Sequence, residues 1–377
     1  MKRLQPSREW LVDWLRDAVY PLWSRNGIDP VSGGFVEALD QNGAALAWAR
    51  RVRVQPRQVY AFAQARRLGW HGDVAGIIER GMCYLVRHYR RPDGLFLSLV
   101  AADGGVRDGR ALLYDQAFVL LGYAAAATAL GASDRWEAEA LELRLLIDRQ
   151  LRADDGAYRS AEGAVGYESN PHMHLLEAYL AWAAISDEPC WMEGVRRLVE
   201  IALNRLIRKN SGAIGEFYSA AWQPMAAASG RSIEPGHQFE WAWLLLRAAK
   251  LLSQPLREPA LQLIAIGERH GVHDGFVVNA LREDMAVCDA GARLWPQCER
   301  LKAALLAAVL SGERRYWISA EEAAGNLCAY LQTPIPGLWF DERSPTGEIR
   351  NGAAPASSLY HLVSATLTLD DATGARP

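Results

Sequence analysis

The sequence lacks the features that mark a secreted, disulfide-bonded, zinc-binding or membrane protein. Its five cysteines are odd in number, scattered, and form no C-x-x-C pair. This argues against a disulfide framework or a structural zinc and favours a reducing compartment. The N-terminal residues are amphipathic and lack the apolar core of a signal peptide. No segment has the roughly 18 uninterrupted apolar residues that a membrane span needs. We therefore expect a soluble, cytoplasmic protein with no membrane partner.

An excess of charge of either sign is also missing. The net charge is −3, so the chain has no basic footprint for a nucleic-acid partner. The glycine-rich loops that cradle phosphates and the G-x-S-x-G elbow of many hydrolases are both missing. We predict no cofactor. The 50% hydrophobic content does provide the side chains for a large core.

Helical periodicity recurs along the whole chain and predicts twelve helices between turn signals. Connections after the even-numbered helices are short, whereas those before them have roughly 20 to 30 residues, so that a unit of about 60 residues repeats. The helices are expected near 6–24, 55–68, 73–89, 113–130, 133–150, 172–186, 190–207, 236–253, 257–270, 292–311, 313–331 and 355–369.

Each long connection carries a glycine followed by an aromatic or aliphatic run, as in SGGFVEA (32–38), which predicts tight turns and short β-hairpins. Six helical hairpins bury their apolar faces best when they close into a ring. The even helices are the more apolar, so we place them inside. The predicted fold is all-α: an (α/α)6 barrel formed by residues 1–377 as one catalytic domain. All long loops then lie at one end, where we expect the functional cleft.

Unusual polar and aromatic residues occur in the first two turns of the predicted inner helices. In the barrel they would converge on one rim, so we expect them to form the active site. They are Arg57 in the second helix; Tyr114, Asp115 and Gln116 in the fourth; Asn170, His172 and His174 in the sixth; His237, Glu240 and Trp241 in the eighth; Trp295 and Glu299 in the tenth; and His361 in the twelfth.

Histidine is the side chain that most readily takes and returns a proton near neutral pH. His237 and Glu240 are three residues apart and can share a helix face, where the carboxylate would fix the tautomer of the imidazole. Positions i and i+2 of a helix do not face each other, so His172 and His174 do not make a metal pair, and we predict no metal site. Tryptophans such as Trp241 and Trp295 offer flat surfaces to a sugar ring.

Six motifs, spread over about residues 10 to 365, resemble the N-acylglucosamine 2-epimerase superfamily in their order and spacing. This superfamily includes N-acetylglucosamine 2-epimerases, cellobiose 2-epimerases and mannose isomerases. The resemblance implies the same barrel and metal-independent proton transfer at C2 of an aldose through an enediol-type intermediate. The motifs are RVRVQPRQVYAFA, LYDQAFVLLG, NPHMHLLEA, EPGHQFEWAWLL, RLWPQCERLKA and PASSLYH.

The resemblance also implies roles for individual residues. His237 and His361 match the acid/base histidines, and Arg57 matches the arginine beside the carbonyl oxygen. His174 matches a histidine that assists ring opening or binds sugar hydroxyls. Tyr114, Asn170, Glu240 and Trp295 match substrate-contacting positions, and we add His172, Trp241 and Glu299 to the residues expected to bind substrate.

The same residues serve an aldose–ketose isomerase and a 2-epimerase. The family's cellobiose epimerases tend to have adjacent tryptophans where this chain has Leu294-Trp295. This favours a monosaccharide, and our first hypothesis is isomerisation of D-mannose to D-fructose. The expected partner is a small sugar, and a homodimer is compatible with the resemblance because dimers occur in the family.

Four alternatives stay open. One is a 2-epimerase acting on N-acylglucosamine or another aldose. Another is a mannose-6-phosphate isomerase, since Arg50, Arg51 and Arg53 lie close to Arg57. A third is a non-catalytic binding protein. The last is a glycoside hydrolase on the same barrel, which needs two carboxylates; candidates are Glu37, Asp115, Glu216, Glu234 and Asp341.

Overall fold

The computed structural model describes residues 3–131, 133–225 and 233–374, and over these residues the chain forms twelve helices. Helix α1 runs through Gln5–Trp14, a π-helical turn at Leu15–Val19 and Tyr20–Asn26. The prediction of twelve helices is confirmed. The others are α2 Val54–Ala63, α3 Val74–Tyr89, α4 Leu113–Leu130, α5 Ser133–Gln150, α6 Ser169–Trp182, α7 Pro189–Ile201, α8 Pro235–Leu252, α9 Arg257–Gly271, α10 Leu294–Ser311, α11 Arg314–Leu327 and α12 Ser357–Thr373.

The even-numbered helices form a closed inner ring. Each packs against the next, and α12 returns to α2. Because neighbours surround them, inner helices are buried on nearly every face: every residue from 235 to 246 of α8 is buried. Outer helices are buried on one stripe only, as in α3, where Val74, Ile77, Ile78 and Leu85 are buried at helical spacing. The fold is therefore the (α/α)6 barrel that the sequence predicts.

Helix α4 illustrates how apolar an inner helix becomes. Among the described residues it is the one helix long and apolar enough to cross a membrane, judged by length and composition. In the barrel, however, 78% of that segment is buried against neighbouring helices. Its hydrophobicity is explained by α2 and α6 on its flanks and α5 outside it.

Short antiparallel pairs tie each long loop to the next, so the loops themselves form a ring at one end of the barrel. The sequence predicts hairpins within loops, and three are present, including Ala280–Leu281 with Val287–Asp289. The links between loops are Arg50–Arg51 with Leu99–Val100, Leu112 with Ala161, Tyr167–Glu168 with Phe217–Tyr218, Ile233 with Leu281, Ala292–Arg293 with Glu342–Arg343, and Ala354–Pro355 with Ala38–Leu39. Such partners are distant in sequence, so local patterns do not reveal them.

A repeated side-chain clamp attaches four of these loops to the barrel. A glutamine in the first turn of an inner helix accepts a hydrogen bond from a loop N–H and donates one to the carbonyl of the same loop residue. The N–H bonds are 2.8 or 2.9 Å long. This satisfies both backbone groups of a buried residue. The clamps are Gln55 on Phe35, Gln116 on Phe96, Gln238 on Ile214, and Gln297 on Val277.

In α6 the position of the clamp is taken by His172. The Tyr158 N–H donates to its Nε2 (3.1 Å), and its Nδ1 donates to the Glu168 carbonyl (2.7 Å). Three of the glutamines also donate to the carbonyl four residues before them, so the histidine reproduces the same pattern. Burial lowers the pKa of His172 to about 4, which keeps the ring neutral for this role. His172 is thus a clamp between loop and barrel.

This role predicts that His172→Gln is tolerated. A glutamine reproduces the clamp of the other repeats, so the free energy of unfolding and the turnover should stay close to wild type. His172→Leu leaves the Tyr158 N–H and the Glu168 carbonyl without this partner and should lower the free energy of unfolding by about 1–3 kcal/mol. Chemical denaturation of both variants checks the prediction. A stable His172→Gln protein with greatly reduced turnover would instead mean that the ring contacts substrate.

Candidate active site

A cavity of about 290 Å³ lies at the end of the barrel that carries the long loops. This volume is near the lower end for ligand pockets and suits a small molecule. Eight of the thirteen residues predicted to form the site line it: Arg57, Tyr114, Asn170, His174, His237, Glu240, Trp295 and His361. Loop residues complete the wall, among them Arg51, Glu234, Arg293 and Asp341.

His237 is held by a glutamate that comes from a loop. Its Nδ1 lies 2.9 Å from Oε2 of Glu216. The Ser169 hydroxyl and the Glu234 N–H also donate to this carboxylate, at 3.2 and 3.1 Å. Because Nδ1 faces Glu216, Nε2 is the ring nitrogen left for the cavity. The sequence predicts Glu240 as the partner of His237, and this is wrong: Glu216 is the residue in hydrogen-bond contact.

His361 has a similar support from within the barrel wall. Its Nδ1 lies 2.7 Å from Oε1 of Glu299. The other oxygen of Glu299 forms an ion pair with Lys302 Nζ, also at 2.7 Å. Glu299 was predicted to bind substrate, but it is fully buried behind His361 and does not line the cavity. Its contact with the ring makes it an orienting residue.

His174 is the third histidine backed by a carboxylate. Its Nδ1 lies 3.1 Å from Oε2 of Glu177, and the Tyr360 hydroxyl donates to the other oxygen. Burial alone would raise the pKa of Glu177, but the bond to His174 and nearby positive charge lower it, so the group is a carboxylate. Glu177 and Tyr360 were not predicted, since neither stands out in an apolar inner helix.

Aromatic rings and a cation form the rest of the wall. Arg57 donates to the Tyr114 hydroxyl (2.6 Å), and its guanidinium carbon lies 4.0 Å from the centre of the Phe118 ring. Trp295 packs beside both His237 and His361, with ring centres 5.1 and 5.6 Å apart. The two histidines therefore share one indole neighbour. Trp241, which was predicted to offer its ring to the sugar, is fully buried and does not line the cavity.

Glu240 lines the cavity, and its surroundings favour the uncharged acid over the carboxylate. Burial, together with the negative charge of Glu299, raises its pKa well above the ordinary value. Its Oε1 lies 4.0 Å from Nδ1 of His174. Glu240, Glu299 and His361 have donor atoms within 4.8 Å of one another, a spacing that could hold a metal ion, but the Lys302 ammonium already supplies a cation to this group.

The surroundings of His237 and His361 drive their protonation in opposite directions. Burial opposes the charged form of His237, but the negative charges of Glu216 and Glu234 outweigh it and raise the pKa to about 9. Burial dominates at His361 and lowers the pKa to about 4, aided by the positive charges of Arg57 and Lys302 and opposed by Glu299. Near pH 7 one ring is an acid and the other a base.

These features together define a class of protein. A small polar cavity with one imidazolium, one neutral imidazole, an arginine and a tyrosine on an (α/α)6 barrel suits proton transfer next to a carbonyl group. The chain belongs to the N-acylglucosamine 2-epimerase (GlcNAc 2-epimerase) family, whose model matches residues 33–365. It is therefore an enzyme, a sugar isomerase or epimerase.

Two relatives and one solved structure are similar to this chain over most of its length. The chain is 41% identical to a mannose-6-phosphate isomerase of Rhizobium meliloti (strain 1021), over 96% of each protein. It is 26% identical to a D-mannose isomerase of Thermobifida fusca, over 78% of this chain and 77% of the relative. The solved cellobiose 2-epimerase from Spirochaeta thermophila DSM 6192 superposes with a TM-score of 0.86 at 24% identity, over 98% of this chain and 97% of that one. At that identity the last comparison shows the fold alone.

The contact between Glu216 and His237 yields a test. In Glu216→Gln the imidazolium loses its charged partner, so the pKa of His237 should fall by at least about 1 unit and turnover by about 10- to 100-fold. Histidine NMR titration and steady-state kinetics measure the two effects. Glu177→Gln is the matched control: it removes a buried carboxylate that contacts His174 and not His237, so the pKa of His237 should change little. Equal shifts in both variants would contradict the assignment of Glu216.

Proposed function

We propose that this chain interconverts D-mannose and D-fructose by proton transfer between C2 and C1. The observation that carries the proposal is that two histidines, His237 and His361, line one small cavity, each with a glutamate carboxylate at its Nδ1. Aldose–ketose isomerisation needs a base for a C–H proton and an acid for a carbonyl oxygen at the same time. A cavity of about 290 Å³ favours a monosaccharide over a larger sugar.

The first step makes the enediol. With the sugar in its open-chain form, neutral His361 removes the proton from C2 through Nε2, and the C–H electron pair forms the C1=C2 bond. The aldehyde oxygen O1 takes a proton from the His237 imidazolium. Arg57 and Tyr114 lie on the cavity wall where the charge that develops on oxygen needs a donor. His174, backed by Glu177, is available to assist ring opening.

The second step makes the ketose and resets both histidines. His361, now protonated, returns its proton to C1, and neutral His237 takes the proton from the C2 hydroxyl as the C2=O bond forms. Each histidine ends in the state in which it began. In a 2-epimerase the proton would instead return to C2 on the opposite face. The choice between these outcomes depends on where the second proton donor stands relative to C1 and C2.

The charge balance at the rim favours an unphosphorylated sugar. Three arginines near the mouth already have carboxylate partners: Arg51 with Glu37, Arg53 with Asp115 at 3.1 Å, and Arg293 with Glu234 at 2.8 Å. A phosphate would have to displace these carboxylates or compete with them. The same pairs weigh against a glycoside hydrolase, because Glu37, Asp115 and Glu234 are engaged by arginine and Glu216 by His237.

Mannose 6-phosphate is the second candidate substrate. Two observations favour it: Arg51 and Arg293 both line the cavity, and a relative that is 41% identical carries the name mannose-6-phosphate isomerase. If the phosphate binds, Arg51 and Arg293 are the side chains placed to hold it.

Proton NMR of sugars incubated with the enzyme in D2O tests the proposal. D-mannose, D-glucose, N-acetylglucosamine, cellobiose and mannose 6-phosphate are offered separately. We expect fructose from mannose, with faster turnover of mannose than of its 6-phosphate. Faster turnover of the phosphate would instead favour the second candidate, and glucose deuterated at C2 would show an epimerase. No exchange with any of these sugars would contradict the proposal.

Histidine variants show which groups carry the reaction. His237→Asn and His361→Asn should each lower turnover by at least about 10²-fold, because each removes one partner of the proton transfer. His71→Asn is the matched control, since His71 is an exposed residue outside the cavity. The same NMR assay measures all three proteins. Near-normal turnover in either cavity variant would refute the role of that histidine.

A further inference from the structure

The pairs His361–Glu299 and His237–Glu216 differ in the other groups that contact the carboxylate. Glu299 faces a cation, because Oε2 lies 2.7 Å from Lys302 Nζ. From the described part of the chain, Glu216 receives neutral donors besides His237, namely the Ser169 hydroxyl and the Glu234 N–H. Among the described residues, no lysine or arginine forms an ion pair with Glu216. One carboxylate is therefore neutralised and the other keeps its charge for the imidazole.

Lys302 is an unusual residue in its own right. It lies on α10 three residues after Glu299, and its side chain is fully buried. Its Nζ lies 3.7 Å from the centre of the Trp243 ring, which adds a cation–π contact. A buried ammonium group would normally lose its proton. Here burial is outweighed by the negative charges of Glu299 and Glu177, which raise the pKa of Lys302 and keep it charged.

We propose that Lys302 is a positioning residue that makes the two histidine–glutamate pairs unequal and so assigns the base. By pairing with Glu299, its ammonium offsets part of the negative charge that would otherwise hold a proton on His361, and this adds to the effect of burial. His237 faces Glu216, which has no such cation among the described residues, and stays the imidazolium acid. This inference rests on the proposed function, in which one histidine must be neutral and the other charged.

Other groups around His361 do not replace Lys302 in this role. Glu299, Glu240, Arg57, His174 and Tyr360 are the remaining titratable or charged neighbours. Arg57 also disfavours a proton on His361, but it contacts Tyr114 and has no ion pair with Glu299. Burial and the negative charge of Glu299 raise the pKa of Glu240, which favours its uncharged form. Lys302 is thus the cation in direct contact with the carboxylate that orients His361.

The first experiment uses the unmodified enzyme. Nitrogen-15 NMR of histidine-labelled protein at pH 7 should show His361 neutral, with its proton on Nδ1, and His237 as the imidazolium. The Asn variants at these positions assign the signals. The same protonation state for both rings would overturn the proposal. This readout needs no substrate, so a failure to find the right sugar is distinguishable from a failure of the inference.

The second experiment removes the cation. Lys302→Met keeps an unbranched apolar side chain against Trp243 and eliminates the charge. The pKa of His361 should rise by at least about 1 unit, and the acidic limb of kcat/KM should move to higher pH by the same amount. Lys302→Arg restores a cation and should bring both values back toward wild type.

A purely structural role gives a different result. If Lys302→Met lowers the melting temperature while the pKa of His361 and the acidic limb stay in place, the proposal is overturned. A Lys302→Arg protein that matches Lys302→Met in both values would overturn it as well. Should Lys302→Met fail to fold, the nitrogen-15 measurement on the unmodified enzyme decides.

Discussion

Each imidazole at the centre of this barrel depends on a buried carboxylate behind it. Glu216, Glu299 and Glu177 contact the Nδ1 atoms of His237, His361 and His174, so that Nε2 of each ring is left for the cavity. These contacts are buried, and fixed charges therefore decide which ring holds a proton. The chemistry of the site follows from the arrangement of three glutamates and one lysine more than from the histidines alone.

The barrel architecture makes these contacts possible. Glu299 and Glu177 lie on inner helices, where packing on all sides fixes their side chains. Glu216 lies in a loop, and its position depends on the loop ring. The strand Phe217–Tyr218 pairs with Tyr167–Glu168, and Gln238 clamps Ile214 on the other side. Loop residues held at both ends in this way behave as part of a rigid scaffold, as precise proton transfer requires.

Periodicity predicts much of the fold because every repeat carries the same signal. Twelve helices, their inner and outer positions and the common rim all follow from apolar spacing and loop length, and eight predicted residues meet in one cavity. Sequence patterns do not reveal the contacts between segments that are distant along the chain. Glu216 is visible in SGAIGEFYS as a carboxylate, but only the loop pairing brings it to His237. His172 resembles a site histidine because it lies near the start of an inner helix. It occupies the position that a glutamine takes in four other repeats, and this correspondence could have indicated a clamp. Lys302 looks like an ordinary helix lysine until burial is known.

The central claim is that His361 acts as the base and His237 as the acid in opposite protonation states. The most direct measurement is the pH dependence of kcat/KM for exchange of the C2 proton of D-mannose, from about pH 4 to about pH 10. We expect a broad plateau: activity falls below about pH 4, where His361 gains its proton, and above about pH 9, where His237 loses its own. A narrow profile with both limbs close to the ordinary imidazole pKa of about 6.5 would contradict it.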